Sequence, residues 1–358
     1  MRALRYRPLK APNCAIVANK IRTDLMRGED RELLSEIAVR DEVTAIEASL
    51  IELGYTPMII EVWGDLEDLL AQLSRRKLSF VFNLCESLQG DSTLEMCLPA
   101  ALEVIRIPYT GSGPLTLGMA LYKWRAREVL HYYRVPYPRF ALLSDVPKEK
   151  PRSVPFPMIV KPSREDGSLG ITKDSVVRDL SQLRERVDHV TRTYFQPALV
   201  EEYIEGREFN VALIGEVDPE VLPISEIDFS GLDPQLPPIV SYEAKWSVNS
   251  PYYLGTIPRC PAELDEDVAE RIRKVAVTAY RALGVRDYGR VDLRLATDGT
   301  PYVLEVNPNP DLSPKAGVCR SAMAAGITYS QLIGRIASFA LARTSSYEYQ
   351  EVSAVGSE

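Results

Sequence analysis

The chain has 358 residues, 46% of them apolar and 26% charged, with a net charge of −8. That balance excludes a disordered or fibrous chain, and an acidic protein is a poor general binder of nucleic acid or anionic membrane. No apolar run approaches the ~18 residues that span a bilayer, and no apolar segment follows the basic stretch Met1 to Lys10, so a cytoplasmic protein without a membrane span or signal peptide is expected.

Taken in chain order, Cys14 to Ala18 reads as a strand. Glu32 to Leu53 has near-helical apolar spacing and stops at Gly54. Met58 to Val62 is a strand, Leu66 to Leu73 a helix and Ser79 to Leu84 a strand, which together predict a small parallel sheet flanked by helices. A helix over Leu94 to Val104 leads into the turn-rich Ile107 to Gly113, with a domain boundary just beyond. Met119 to Tyr133 is predicted helical and Met158 to Lys161 a strand. Ser163 to Gly170 is a polar glycine-bearing loop, and Leu199 to Glu202 is a strand. Glu208 to Ile214 and Val221 to Phe229 are paired strand candidates. A long proline-rich segment, Glu226 to Tyr253, has the composition of a lid. Asp265 to Leu283 is the clearest helix, a hairpin runs from Gly289 to Asn307, and Thr328 to Leu341 is a last helix before a polar tail.

The hairpin carries the strongest chemistry. Arg290, Asp292 and Arg294 share one strand face, as do Glu305 and Asn307, while Val291, Leu293, Leu295, Leu304 and Val306 take the other. With Asp298-Gly299 as a two-residue turn, Asp292 faces Glu305 and Arg290 faces Asn307. Facing carboxylates repel, and a hard divalent cation such as Mg²⁺ would offset this. The alternative is a solvated polar face in which Arg290 and Arg294 neutralise both acids. Lys161 ends an apolar strand beside backbone N–H groups around Gly167, Ser168 and Gly170, an arrangement suited to phosphate. Lys123 and Lys245 are further phosphate candidates. Glu201, Glu202 and Glu208 are placed to accept from adenine or ribose, or else form a charged solvent edge. Five scattered cysteines without CxxC spacing and only two histidines, His131 and His189, argue against a zinc site, a disulfide framework or a Ser-His-Asp triad.

In order and spacing, several segments resemble the D-alanine–D-alanine ligase branch of the ATP-grasp enzymes. They are Phe82 to Glu86, Gly90 to Ser92, Ile107 to Ser112, Val160 to Glu165, Val200 to Tyr203, Gly206 to Phe209, Tyr242 to Lys245, Cys260 to Ala262 and Glu305 to Asn307. The resemblance implies an α/β (α+β ATP-grasp) fold of three domains. These are an N-terminal parallel α/β domain (1–118), central (119–200) and C-terminal (201–344) domains clasping ATP, and a flexible tail (345–358). It further implies that Lys123, Lys161, Ser168 and Lys245 hold phosphates or the adenine edge. Glu201 and Ile204 would contact adenine and Glu208 the ribose, Glu202 would belong to the same nucleotide site, and Asp292, Glu305 and Asn307 would hold one or two Mg²⁺ ions, with Mn²⁺ as a substitute. Arg290 would stabilise a tetrahedral oxyanion. The implied reaction turns a carboxylate into an acyl phosphate, which an amine attacks to give an amide. The implied partners are a small-molecule acid and amine, and the implied assembly is a homodimer.

Departures concern the substrate. The family's early glycine-rich loop and its glutamate are not recognisable near Ala15 to Asp24. Trp246 stands for the usual tyrosine, Gly167 for a serine, and Pro308 to Leu312 for a glycine-rich segment. Activation of an amino acid or small peptide-like acid other than D-alanine pairs is therefore expected. A true D-alanine–D-alanine ligase and a non-catalytic nucleotide-binding module are the alternatives.

Overall fold

The run of apolar residues from Cys14 to Ala18 becomes a central strand buried on both faces (β1, Asn13–Asn19), as covered parallel sheets require. It pairs in parallel with β2 (Thr56–Val62) and β3 (Phe80–Leu84) in the order β2-β1-β3, with α1 (Leu33–Glu52) and α2 (Leu66–Ser74) as the crossovers. The computed structural model describes residues 12–20 and 33–355. Met1 to Lys10, the end of the Ala15 to Asp24 stretch and the expected helix start at Glu32 lie outside the described residues.

The helix expected over Leu94 to Val104 is divided. A 3-10 turn (Ser92–Leu94) precedes α3 (Cys97–Val104), because Pro99 has no N–H and is tolerated only in a first turn. The helix expected over Met119 to Tyr133 is also two, α4 (Pro114–Leu121) and α5 (Lys123–Tyr132). Tyr122 has a non-helical ψ of 79°, and the corner puts Lys123 at the head of α5.

A second, antiparallel sheet has the order β4-β7-β5-β6, from β4 (Phe140–Leu143), β5 (Met158–Pro162), β6 (Val176–Val177) and β7 (Ala198–Glu202). Leu183, Val187 and Val190 of α6 (Leu180–Tyr194) cover it. The third sheet contains β8 (Gly206–Ile214), β9 (Glu220–Val221) and β10 (Ser225–Asp228). The strand expected over Val221 to Phe229 is split into these last two because Pro223 cannot donate to a ladder. The chain then forms α7 (Tyr242–Trp246), α8 (Pro251–Gly255), β11 (Ile257–Arg259) and α9 (Glu266–Ala282). It returns as the hairpin β12 (Tyr288–Ala296) and β13 (Pro301–Asn307), giving the order β11-β10-β8-β12-β13 with β9 beside β8. At Gly206, φ is +147° and a Cβ would lie 2.0 Å from the Leu295 carbonyl oxygen, so only glycine lets β8 start against β12.

The hairpin reaches its expected pairing by two compensating departures. The turn is a three-residue loop, not two: Ala296 N–H bonds the Thr300 oxygen, Gly299 takes φ +82°, and Leu295 pairs with Pro301. A bulge at Leu304 then shifts the register by one, so Asp292 faces Glu305 and Arg290 faces Asn307. The bulge also corrects one face assignment. Val303 and Val306 enter the core under α9, while Leu304 lines the cavity.

The chain ends with α10 (Gly317–Ala324) and α11 (Tyr329–Val355), the latter longer than the apolar periodicity to Leu341 predicts. Leu332, Ile333, Ile336 and Ala337 pack back on Ile16 and Phe82 of the first sheet, so the two chain halves share a core. Arg343 secures that return, donating to Asp287 at 2.7 and 2.6 Å and to the Tyr109 carbonyl oxygen at 2.6 Å. Among the described residues no helix is long and apolar enough to cross a membrane.

Candidate active site

A cavity of about 800 Å³ opens where the three sheets meet. Its floor is the bulged hairpin and β8, whose register sets Asn210 beside Asp292 and Glu208 beside Arg294. Arg290 Nε and Nη2 donate to the two Asp292 oxygens at 2.7 and 2.8 Å, and Asn210 Nδ2 adds a bond of 2.7 Å. Lys123 Nζ, brought in by the Tyr122 corner, lies 2.8 Å from Glu305 Oε1, 2.8 Å from Asp166 Oδ1 and 2.6 Å from the Glu165 carbonyl oxygen. The facing acids are therefore balanced by Arg290 and Lys123. Arg294, the other neutraliser considered, bonds Glu208 instead, at 2.9 and 2.8 Å.

These contacts set the charge states. Burial alone would raise the Glu305 carboxyl, but Lys123, a hydrogen bond from Asp166 and the Lys161 charge hold it well below the usual carboxylate range. Asp166 is pushed up by desolvation and by Glu305, against the pull of Lys123, so it is the side of that contact that keeps the proton. Lys123 stays well above its ordinary value because Asp166 and Glu305 outweigh its burial.

The acids expected to face a nucleotide are engaged internally. Glu201, 1% exposed, accepts from Arg127 at 3.1 and 2.8 Å and from Lys161 at 2.6 Å. Arg127 also donates to the Leu304 bulge carbonyl, tying the second sheet to the third. Glu202 is gripped by Arg139 at 2.8 and 2.9 Å, and the Ile204 carbonyl accepts from Arg294 at 2.9 Å. The Glu201 and Glu202 side chains thus hold the fold, whereas Glu208 keeps its Oε1 clear of Arg294, whose bonds go to Oε2.

The roof is the 163–170 loop meeting the lid. Ser168 Oγ donates to the Val240 oxygen at 2.9 Å, and Trp246 Nε1 donates to the Gly167 oxygen at 3.1 Å. The lid is not a bare loop: α7 aims Lys245 into the cavity. No hydrogen bond or ion pair holds its ammonium among the described residues, and burial with the Arg290 charge lowers its pKa. A half-buried cation with no hydrogen-bond or ion-pair partner among the described residues is suited to an incoming anion.

The structure therefore brings every candidate residue but Lys123, Asn307 and Ile204 included, to the lining of one cavity, and Lys123 reaches it through its contacts with Glu305 and Asp166. Arg127, Asp166, Asn210 and Arg320 were missed. Only Arg127 left a trace, since it lies one helical turn beyond Lys123 on the same α5 face.

Beyond the floor the cavity reaches Glu42 and Glu86. Glu42 is 6% exposed and accepts from the Leu312 N–H at 2.8 Å. Burial, then the charges of Asp311 and Glu86, raise its carboxyl well above the usual 4.5. A raised carboxyl favours folding fully below the unfolded pKa and loses that advantage as pH climbs through the folded one. Glu42→Gln keeps an oxygen for Leu312 and removes the charge. Its melting temperature should match wild type near pH 4 and exceed it by roughly 2–4 °C near pH 8, as followed by calorimetry across that range.

The D-ala D-ala ligase C-terminus family model matches residues 129–338, more than half of the chain. The chain belongs to the D-alanine–D-alanine ligase family. An uncharacterized protein of Sinorhizobium fredii, y4sG, is 38% identical over 303 residues, covering 82% of this chain and 85% of that protein. A D-alanine–D-alanine ligase of Nitrosospira multiformis is 35% identical over 242 residues, covering 66% and 72%. A Bacillus anthracis D-alanine–D-alanine ligase complexed with ATP shares the fold at a TM-score of 0.72 and 24% identity, covering 94% of this chain and 99% of that one. Membership makes this protein an ATP-dependent ligase of the D-alanine–D-alanine ligase type, an ATP-grasp enzyme that forms carbon–nitrogen bonds. It also carries the three-domain layout expected from the sequence.

Proposed function

We propose that the protein joins a carboxylate to an amine through an acyl phosphate, with an amino acid or small peptide-like acid other than paired D-alanines as substrate. The observation that carries this is one cavity lined by Lys161, Lys245, Arg290 and the Asp292–Glu305 pair, with Lys123 bonded to Glu305 from behind the lining. Phosphoryl transfer needs positioning and charge neutralisation more than a covalent group, and the cavity offers both.

The donor set suits Mg²⁺. Asp292, Glu305 and Asn307 present hard oxygens on one strand face, and Glu305 stays ionised without competition from protons. Among the described residues no group of three or more His, Cys, Asp or Glu side chains is placed to hold a metal, and the set proposed is two carboxylates with the amide oxygen of Asn307, which also accepts from the Asn309 N–H at 2.9 Å. Bound there, the ion would neutralise charge on the β- and γ-phosphates. The lysines position the triphosphate, with Lys245 on the roof and Lys123 and Lys161 below. A substrate carboxylate oxygen attacks the γ-phosphorus and ADP leaves. The amine nitrogen then attacks the acyl carbon, Arg290 stabilises the tetrahedral oxyanion, and phosphate departs with the bonding pair.

The substrate reading rests on the roof and the far end. The roof contact runs from the Trp246 indole N–H to the Gly167 carbonyl oxygen, at the two positions where the family pattern has a tyrosine and a serine. Glu42, Glu86 and Asp311 line the far end, which suits the ammonium group of an amino acid. The test is ATP-dependent phosphate release over a panel of amino acids and small acids, with hydroxylamine trapping and mass spectrometry of products. A hydroxamate with an acid other than D-alanine is expected. Robust turnover on D-alanine alone would reinstate the dipeptide reading. ATP binding with no hydroxamate across the panel would leave a nucleotide-binding module.

A further inference from the structure

Amide formation by an acyl phosphate leaves one proton unplaced. The amine arrives as an ammonium group, which has no lone pair, so a proton must leave before nitrogen can bond to the acyl carbon. The lysines and Arg290 are cations committed to phosphate and oxyanion, and Asp292 and Glu305 belong to the metal set. Glu95, between the 3-10 turn and α3, has no such commitment. It lines the cavity, is 7% exposed, and accepts at Oε1 from Asn309 Nδ2 at 3.1 Å. No hydrogen bond or ion pair reaches its Oε2 among the described residues. Asn309 is itself fixed, since Tyr288 donates to its Oδ1 at 2.9 Å and its own N–H donates to Asn307 Oδ1 at 2.9 Å. Glu95 therefore stands two hydrogen bonds from Asn307, at the end of the hairpin. Two other cavity acids lack that link. Asp311 accepts from Ser313 on both oxygens, at 2.7 and 3.0 Å, and Glu42 is anchored to the Leu312 N–H.

The titratable groups that act on Glu95 are Glu86 and Cys85 after β3, Asp166 in the 163–170 loop and Tyr288 on β12, and none of them is a cation. Burial, then the charges of Asp166 and Glu86, raise its carboxyl well above the usual carboxylate range, against the bond from Asn309. A carboxyl brought closer to an ammonium in proton affinity is matched to exchange a proton with one. We propose that Glu95 is the general base that takes the proton from the amine substrate. The inference rests on the ligase reading above and adds the residue that makes the amine a nucleophile. One N–H bond breaks and an Oε2–H bond forms. The freed electron pair on nitrogen attacks the acyl carbon, and phosphate leaves with the carbon–oxygen bonding pair. Glu95 then returns its proton to the departing phosphate or to water.

The test compares nucleophiles that need a base with nucleophiles that do not. Hydroxylamine and methoxyamine are free bases at neutral pH, whereas ammonia, methylamine, glycine and both alanines are cations there. Wild type, Glu95→Gln and Glu95→Asp are each given ATP, magnesium and the acid that yields most hydroxamate with wild type, and products are measured by mass spectrometry as a function of pH. Glutamine keeps an oxygen for Asn309, so the wall should stay in place. The expected result is that Glu95→Gln makes hydroxamate within about threefold of wild type, while its kcat for amide formation with a cationic amine falls about a hundredfold or more. The residual amide formation should climb with pH in step with the fraction of free amine, and Glu95→Asp should lie between the two. Equal losses with both kinds of nucleophile would make Glu95 a structural residue and overturn the assignment. Amide formation at the wild-type rate in Glu95→Gln would overturn it too, as would a wild type that serves hydroxylamine but no cationic amine. The two readings separate at the first step: no hydroxamate from wild type with any acid counts against the ligase, whereas hydroxamate with amide formation indifferent to residue 95 counts against Glu95 alone.

Discussion

Glu305→Gln should reduce ATP-dependent phosphate release about a thousandfold or more, and the protein should remain folded. The factor corresponds to roughly 4 kcal/mol of lost transition-state stabilisation, the scale of one metal ligand's charge in phosphoryl transfer. The substitution keeps shape and removes charge. Lys123 retains Asp166 at 2.8 Å and the Glu165 carbonyl oxygen at 2.6 Å, so it stays in place. The loss therefore reports on the carboxylate and not on a collapsed wall. Asp292→Asn should silence the enzyme as well, at a greater cost in stability, because the Arg290 guanidinium loses its bidentate partner. Phosphate release, together with magnesium-dependent binding of adenylyl imidodiphosphate, measures both. Glu305→Gln turnover within tenfold of wild type would remove Glu305 from the proposed metal set.

Much of this site was legible because its chemistry sits on strands, where facing follows from an alternation of two. The sequence placed Asp292 opposite Glu305 and Arg290 opposite Asn307, and the structure has those pairs. The fold reaches those pairs by another route. The loop is one residue longer than a two-residue turn, and only the Leu304 bulge restores the register, a feature that alternation cannot reveal. Prolines interrupt elements that periodicity runs together. Pro99 and Pro223 mark the breaks that divide one expected helix and one expected strand. Arg127 and Arg320 were beyond reach for a different reason. A long cationic side chain reads as surface in a sequence, and its burial depends on which distant carboxylate meets it. For Arg127 that partner is Glu201, on a strand of another sheet, while for Arg320 no described residue supplies one. The same limit applies to the Glu201 carboxylate, which faced a nucleotide in the sequence reading and meets two internal cations in the fold.

Arg127→Met should destabilise the protein by roughly 3–5 kcal/mol, the range for removing one partner of a buried ion pair. Arg127 and Glu201 are each 1% exposed, so no water replaces the lost guanidinium. Methionine fills most of the volume, which isolates the charge effect from a cavity. Glu201 is then left with Lys161 alone, and the Leu304 bulge carbonyl loses its donor. Both consequences reach the active site: Lys161 is drawn toward Glu201, away from a triphosphate, and the segment just before Glu305 is loosened. The KM for ATP should rise along with the loss of stability. The double variant Arg127→Met/Glu201→Met should be less destabilised than the sum of its single variants, because a buried pair exchanged whole for apolar groups leaves no orphaned charge between them. Urea unfolding of the four proteins gives the coupling directly from the midpoints. Additive losses, or a single-variant cost below about 1 kcal/mol, would mean that Arg127 is spare packing and that Lys161 alone keeps Glu201 in place.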